Sequence, residues 1–425
     1  MLGQVEAETG KRYLSLCTGE ASGDTGRVQV FNSLSWEREE WISHEGNWCK
    51  AKVPPMGYAV IPLNAGNGNT AGEAAGAYSG GQLLSTGDVM ENDIFSIVFS
   101  ENGFIKSIYD KAEKRYIIPE GAVANGLALY EDKGDAWDFP VYYDEKPGEL
   151  LKLIDSTVYT DGPQIIRESS FRTPSGQSIL EQKVVLTLGK RQIDFITAVD
   201  WNENSKMLRT SFPVNVYAQE ATCEIQFGNV KRPTHRNTSW DMAKYEVYAH
   251  KWVDISQGDY GVALLNDCKY GHKVLDNILD LNLLRSTSFP GTGADLGRQV
   301  FTYSLFPHKG DYIRGGVVKA GYELNVPLKT IPANPAVKSA SLLTVEAGNI
   351  IVESVKKCED SDDLIIRMYE CHGTGISTKV DFGFKTRDIR LVDLMEKETD
   401  QESLDSDTGI LTFKPFEIQT LKVSV

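Results

Sequence analysis

Ile94-Phe95-Ser96-Ile97-Val98-Phe99, followed by Asn102-Gly103 and then Ile105-Lys106-Ser107-Ile108-Tyr109, is the stretch on which the fold turns. Two runs rich in β-branched and aromatic residues flank an Asn-Gly pair. Asn-Gly supplies the two positive φ angles of a type I′ turn, so the stretch predicts a β-hairpin. A second hairpin is expected from the runs 184–188 and 193–199, joined by Gly189-Lys190-Arg191-Gln192. Further strand-like runs lie at 154–159, 165–171, 223–230 and 262–265. Many strands at short spacing, with few helical periods, predict an all-β chain built around a large antiparallel sandwich. The segment 315–325 is expected to hold one short helix.

Outward from this region, Val28-Gln29-Val30-Phe31 and Tyr58-Ala59-Val60-Ile61-Pro62-Leu63 read as strands, with a turn at Pro54-Pro55-Met56-Gly57. Residues 64–81, NAGNGNTAGEAAGAYSGG, have almost no large apolar side chains and cannot repay their ordering entropy. They read as a linker or long loop. Pro332-Ala333-Asn334-Pro335 favours an extended connector. Beyond it, 364–369 and 418–423 read as strands of a small sandwich, and 388–407 as charged, exposed loops. The expected division is a small β-domain over 1–65, a linker over 66–83, a large β-sandwich over 84–332 and a small C-terminal β-sandwich over 333–425. No repeat of fixed period is visible.

The 425 residues carry a net charge of −15. Such a surface repels phosphate backbones and anionic bilayers, which argues against nucleic acid and membrane as partners. No run reaches the roughly 20 apolar residues of a membrane helix, and MLGQVEAETGKRYLSL has no apolar signal core. The six cysteines are scattered without a CxxC pair, which fits buried, reduced thiols and a cytoplasmic setting.

Four polar clusters are candidates for chemistry. Asp135, Trp137 and Asp138, followed by Tyr142-Tyr143, combine carboxylates with aromatic faces, as sugar sites do. The plainer alternative is an acidic loop pinned by one buried Trp. Arg232, His235, Asn237, Trp240 and Asp241 fall within ten residues, and His235 is a candidate acid or base. The alternative is a network in which His235 and Asp241 satisfy backbone groups. Asp267, Lys269 and His272 follow a buried strand and are read either as lining a cleft or as turn chemistry. Arg298 either clamps a sugar hydroxyl or pairs with Asp295. HExxH, GxSxG, Walker and strand-linked GxGxxG motifs are absent, and none of the six histidines stands two residues before an acid. No residue is assigned as catalytic or as a metal ligand.

Taken together the motifs resemble a known family. RPTHRNTSWDMAKYEVYAHKWVDIS (232–256), GVALLNDCKYGHKVLDN (261–277), LNLLRSTSFP (281–290) and ADLGRQVFTYSLFPHKGD (294–311) are similar to consecutive signatures of glycoside hydrolase family 38. They are closer to its cytosolic and bacterial α-mannosidases than to its Golgi members. ENDIFSIVFSENGFIKSIYDKAEKR (91–115), DAWDFPVYY (135–143), VQVFNSLSWEREEWI (28–42), VPPMGYAVIPL (53–63) and GILTFKPFEIQTLKVSV (409–425) extend the resemblance over nearly the whole chain. It implies a galactose mutarotase-like super-β-sandwich flanked by smaller β-sandwich units. It also implies an N-terminal catalytic barrel with a zinc ion and an aspartate nucleophile, whose motifs these residues lack. The chain then serves as the β-portion of an α-mannosidase, inactive by itself, with a mannose-containing oligosaccharide and the barrel as partners. Asp135, Trp137, Asp138, Arg232, His235, Asn237, Trp240, Asp241 and Arg298 are expected at the rim of the sugar site. The alternatives are a stand-alone carbohydrate-binding or structural β-module and, less readily, a sugar epimerase. A broad apolar face that a barrel covers also implies self-association of the isolated chain.

Overall fold

The computed structural model describes residues 26–63, 83–291, 293–333, 339–399 and 409–424. The expected linker over 66–83 lies outside them except for Leu83, as do parts of the Pro332–Pro335 connector and of the charged stretch after 399. Every strand pair among the described residues is antiparallel. The chain forms two compact units, residues 78–325 and residues 1–77 with 326–425. Lys329–Pro332 pairs with Arg27–Asn32, and Ala340–Ser341 with Gly57–Pro62, so the N-terminal strands and the C-terminal sheets share one unit. The division expected from sequence had kept these strands in three separate β-units.

Among the described residues the 78–325 unit contains three sheets. A nine-stranded sheet runs, edge to edge, through Lys152–Asp161, Gln164–Arg172, Ile179–Thr187, Ile193–Trp201, Gly297–Lys309, Tyr260–Asn266, Trp252–Ser256, Glu220–Ile225 and Gly228–Pro233. A six-stranded sheet is centred on Lys206–Pro213 and Ile278–Arg285, and the opening hairpin belongs to a five-stranded sheet. Period-two alternation explains the packing. Phe95, Ile97 and Phe99 point into the core, while Ser96 and Val98 between them are half-buried. One apolar core joins residues of all three sheets, including Phe104, Phe171, Trp201, Phe212 and Leu264. Inside it, Tyr303 Oη donates to Asn125 Oδ1 at 2.6 Å and accepts from Gln182 Nε2 at 2.8 Å. Asn125 Nδ2 in turn donates to Gln182 Oε1 at 2.7 Å. These buried polar groups satisfy one another and link the loop before the six-stranded sheet to the nine-stranded one.

The second unit holds a four-stranded sheet, a hairpin of Arg38–His44 with Asn47–Val53, and two further sheets built from residues 343–424. Its turns converge on Glu370. This buried carboxylate accepts from Asn349 Nδ2, from the backbone N–H groups of His372, Gly373, Thr374 and Phe416, and from Thr374 Oγ1, at 2.7–3.1 Å. Burial alone would push its carboxyl up, but these donors together hold it below the usual value. The adjacent Cys371-His372 pair is therefore part of a turn that Glu370 organises.

Several strands match the sequence reading closely, among them Leu364–Glu370 and Ile418–Ser424, and the short helix is Val317–Asn325. Three details differ. The run 223–230 holds the end of one strand, Glu220–Ile225, a two-residue turn and the start of a second, Gly228–Pro233, and is not one strand. Asp388–Val392, within the charged stretch, is an edge strand on Ile418–Ser424. The Asn102-Gly103 connection is not type I′: of these two residues only Gly103 has a positive φ, at 81°. Gly103 N donates to Ser100 O at 2.9 Å and Ser100 N to Phe104 O at 2.8 Å, which defines a three-residue loop ending in a left-handed glycine. A Cβ on Gly103 would stand 2.9 Å from Leu153 Cδ1 and 3.2 Å from the Phe171 ring. Gly103→Ala is therefore expected to destabilise the chain by about 1–2 kcal/mol, read as a lower urea midpoint with an unchanged slope.

Candidate functional site

Residues 131–146 and 232–246 are far apart in sequence, and buried charge brings them together. The centre is Arg209, on the central strand of the six-stranded sheet and only 1% exposed. Its guanidinium pairs with Asp280 at 2.5 Å, on the neighbouring strand, and with Glu246 at 3.2 Å. Glu246 also accepts from Tyr143 Oη at 2.6 Å. The Tyr143 ring lies under the Arg209 guanidinium at 5.1 Å and near Lys273 Nζ, also at 5.1 Å. Lys273 and Arg236 both reach Asp144, at 3.2 and 3.8 Å, and Tyr245 Oη donates to Phe139 O at 3.0 Å. Burial raises the Glu246 carboxyl above its ordinary value, although Arg209 pulls the other way. It pushes the Tyr143 phenol up as well.

A second charge pair anchors the start of the 131–146 loop. Asp132 is fully buried and bound at both oxygens by Arg285, at 2.6 and 3.2 Å. Arg285 Nη2 also donates to Asp138 O at 2.5 Å, and Arg285 N donates to Asp295 Oδ2 at 2.8 Å. Gly134 sits where a Cβ would come within 2.6 Å of Asp138 O. Asp135 Oδ1 accepts from the N–H groups of Trp137 and Asp138, at 2.8 and 2.7 Å, and these bonds hold its carboxyl below the usual range. The turn so formed leaves Trp137 71% exposed, with its ring 5.8 Å from that of Phe289. The buried-Trp alternative for this loop is thereby overturned, because the tight turn directs the indole outward.

In the 232–246 segment, Thr238 and Asp241 cap the one-turn helix Ser239–Met242 reciprocally. Trp240, on that turn, is 80% exposed. His235 Nδ1 lies 3.6 Å from Asp241 Oδ2, too far for a hydrogen bond. Arg232 lies over the Tyr248 ring at 5.1 Å and donates to Tyr248 O at 3.4 Å. Asn237 and His235 line a cleft with residues 214–219 and Asp276-Asn277.

The Arg298–Asp295 pairing is corrected, and the Asp267 cluster is decided between its two readings. Arg298 pairs with Asp200 at 2.9 Å and Glu181 at 3.6 Å on its own sheet, whereas Asp295 is taken by Arg285 N. Of the two readings of Asp267, Lys269 and His272, the turn chemistry holds, since Asn266 Oδ1 accepts from Lys269 N at 2.8 Å, and the three do not line a common cleft. Asp267 accepts from Thr302 N at 2.9 Å, Lys269 lies over Phe301, and His272 is buried. Burial, with a smaller contribution from Arg209, pushes the His272 imidazole down to about 3. The sequence reading missed Arg209, Asp280, Glu246 and Arg285 as the groups that organise the site. The available signal was an arginine inside the strand-like run Met207-Leu208-Arg209-Thr210-Ser211-Phe212, where an inward charge demands partners.

No group of three or more His, Cys, Asp or Glu among the described residues is placed to hold a metal ion. The donor set described here therefore does not fit the zinc that the family resemblance implies. Cys49, Cys223, Cys358 and Cys371 carry buried thiols and Cys268 an exposed one, while Cys17 lies outside the described residues. No helix among the described residues is long and apolar enough to cross a membrane.

Comparison with known proteins gives this architecture a class. The profile of the glycosyl hydrolases family 38 C-terminal domain matches residues 90–292, and that of the family 38 C-terminal beta sandwich domain matches residues 349–421. Alpha-mannosidase 2C1 of Mus musculus is 36% identical over 96% of this chain, and Alpha-mannosidase G of Dictyostelium discoideum 35% identical over 87%. The chain spans 40% of the length of the mouse protein and 36% of the Dictyostelium one. In fold it is similar to an alpha-mannosidase from Enterococcus faecalis V583, with a TM-score of 0.72 at 16% identity over 96% of this chain and 52% of that one. These matches place the chain among the glycosyl hydrolases. It belongs to family 38 and corresponds to that family's C-terminal domains.

Two outcomes test the charge network. Arg209→Met leaves Asp280 and Glu246 buried without their cation and is expected to cost about 3–5 kcal/mol, measured by chemical unfolding. His272 is neutral in the fold and has an ordinary value of 6.5 when free. The unfolded chain thus binds more protons once the pH drops below that value, and stability falls with pH towards the folded value of about 3. His272→Gln is expected to make the loss of stability between about pH 7 and pH 5 shallower, read from urea midpoints across that range.

Proposed function

We propose that the chain is the C-terminal β-region of an α-mannosidase that hydrolyses terminal, non-reducing α-D-mannosyl residues. In this reading it supports a catalytic barrel and contributes to the rim of the sugar site. The observation that carries it is the convergence of residues 135–145 and 232–246, two segments within the family 38 match, on one buried charge network that leaves Trp137, Tyr142 and Trp240 exposed. Exposed indole and phenol rings stack on the C–H faces of pyranoses, and they also form the anchors of protein interfaces. Trp137, Asp138 and Trp240 meet glycan or barrel. Asp135 and Asp241 hold the turns that present them, and Arg232 braces the adjoining strand. His235 and Asn237 face the neighbouring cleft, while Arg298 is committed to its own sheet.

Zinc and the nucleophile are supplied by the barrel and not by this chain. The widely spaced, mostly buried thiols suit a reducing, cytoplasmic setting. The purified 425-residue chain is expected to show no turnover of an aryl α-mannoside, with or without added zinc. Mixed with a family 38 barrel domain supplied as a separate polypeptide, it is expected to yield zinc-dependent turnover. Hydrolysis by the chain alone, or none in the mixture, counts against this reading.

A further inference from the structure

After Lys206–Pro213 the chain continues through 214–219. With Thr234, His235 and Asn237, Gln257, and the turn Asp276-Asn277, it lines a cleft of about 530 Å³. None of the residues of the 131–146 loop lines it. The size falls within the roughly 300–1,000 Å³ that small-molecule sites occupy. We propose that this cleft binds a neutral hexopyranose, and that this chain does so without a barrel. The inference goes beyond the mannosidase reading and stands independently of it.

The lining selects the ligand class. Among the described residues no lysine or arginine lines the cleft and Asp276 does, so phosphates, sulfates and acidic sugars are disfavoured. Amide side chains supply much of the wall, and an amide both donates and accepts, as a ring of hydroxyls requires. Several are already held in place. Asn215 Nδ2 donates to Tyr116 O at 3.0 Å and Asn277 Nδ2 to Val214 O at 2.7 Å. Gln257 Oε1 accepts from Tyr217 N at 2.9 Å. These amides are fixed before any ligand arrives, which lowers the entropy lost on binding. His235 also lines the cleft, with its Nδ1 atom buried and 3.6 Å from Asp241 Oδ2. Tyr217, 77% exposed at the edge, offers a ring to the C–H face of a pyranose.

The test uses saturation-transfer NMR and calorimetry on the 425-residue chain with methyl α-D-mannopyranoside, methyl α-D-glucopyranoside and N-acetylneuraminic acid. Binding of at least one neutral glycoside in the millimolar range is expected, with none of the acidic sugar. Tyr217→Ala and Asn237→Ala are each expected to weaken binding roughly tenfold, the loss of one ring or hydrogen-bond contact. Tyr159→Ala, which removes an exposed ring on the edge strand Lys152–Asp161 outside the cleft, is expected to leave it unchanged. Tyr217 and Asn237 are exposed, so both variants should keep the parent melting curve, and a ligand effect without a melting change identifies the site. Absence of binding by either glycoside overturns the proposal, as does preference for the acidic sugar. Binding lost in Trp137→Ala but retained in Tyr217→Ala overturns it too, since the sugar then sits on the Trp137 rim. The measurement involves no hydrolysis, so failure of the mannosidase reading leaves its outcome unaffected.

Discussion

A positive charge buried inside a β-sheet is costly unless it is paired, and Arg209, with carboxylates at its Nε and Nη2, imposes that condition on the 78–325 unit. One partner, Asp280, stands on the adjacent strand, where the pairing of Ser211 with Asp280 places it beside the guanidinium. The second, Glu246, comes from the segment after the one-turn helix. Tyr143, bound to Glu246, comes from the loop that precedes the six-stranded sheet's edge strand Glu149–Leu150. Neutralising one arginine thus fixes where two irregular segments lie. Asp132 and Arg285 repeat the device at the other end of the first loop. Neither segment has enough regular structure to hold itself, so long-range ion pairs take the place of ladder hydrogen bonds.

The division of labour among the polar residues follows from this scaffold. Asp135 and Asp241 satisfy backbone N–H groups within three residues of themselves, a demand that arises wherever a chain turns tightly. Because these carboxylates serve their own turns, the neighbouring indoles of Trp137 and Trp240 are left facing outward. His235 and Asn237 belong to a different surface from Trp137, a cleft whose other walls come from residues 214–219 and 276–277. A polar cluster that looked continuous along the chain is therefore divided in space between a rim and a cleft.

Strands were legible because their signal is local. Alternation with period two at Phe95, Ile97 and Phe99, or the apolar run through Leu364–Glu370, reflects one buried face and needs no distant partner to be read. Turn geometry was less legible. Asn102-Gly103 suits a two-residue loop, but strand pairing places Phe99 opposite Ile105, with a bulge, and the longer loop follows. At 223–230 the apolar pattern continues through Gly228, and only pairing of Glu220–Ile225 with Gly228–Pro233 reveals the reversal. Asp388–Val392 carries charge because it is an edge strand facing water, and composition cannot separate that from a loop.

The sequence by itself determined an all-β chain, most of its strands, its short helix and its resemblance to family 38, since each depends on neighbours in the chain or on long ordered motifs. Only the tertiary structure decided that the N-terminal strands and the C-terminal sheets form one unit, through pairing of Lys329–Pro332 with Arg27–Asn32. It alone decided that Arg298 serves its own sheet, that His272 is buried, and that Arg209 ties two loops together. The reason is common to all of these. Which charge meets which is set by strand register and chain crossing over tens to hundreds of residues, and no local pattern encodes that distance.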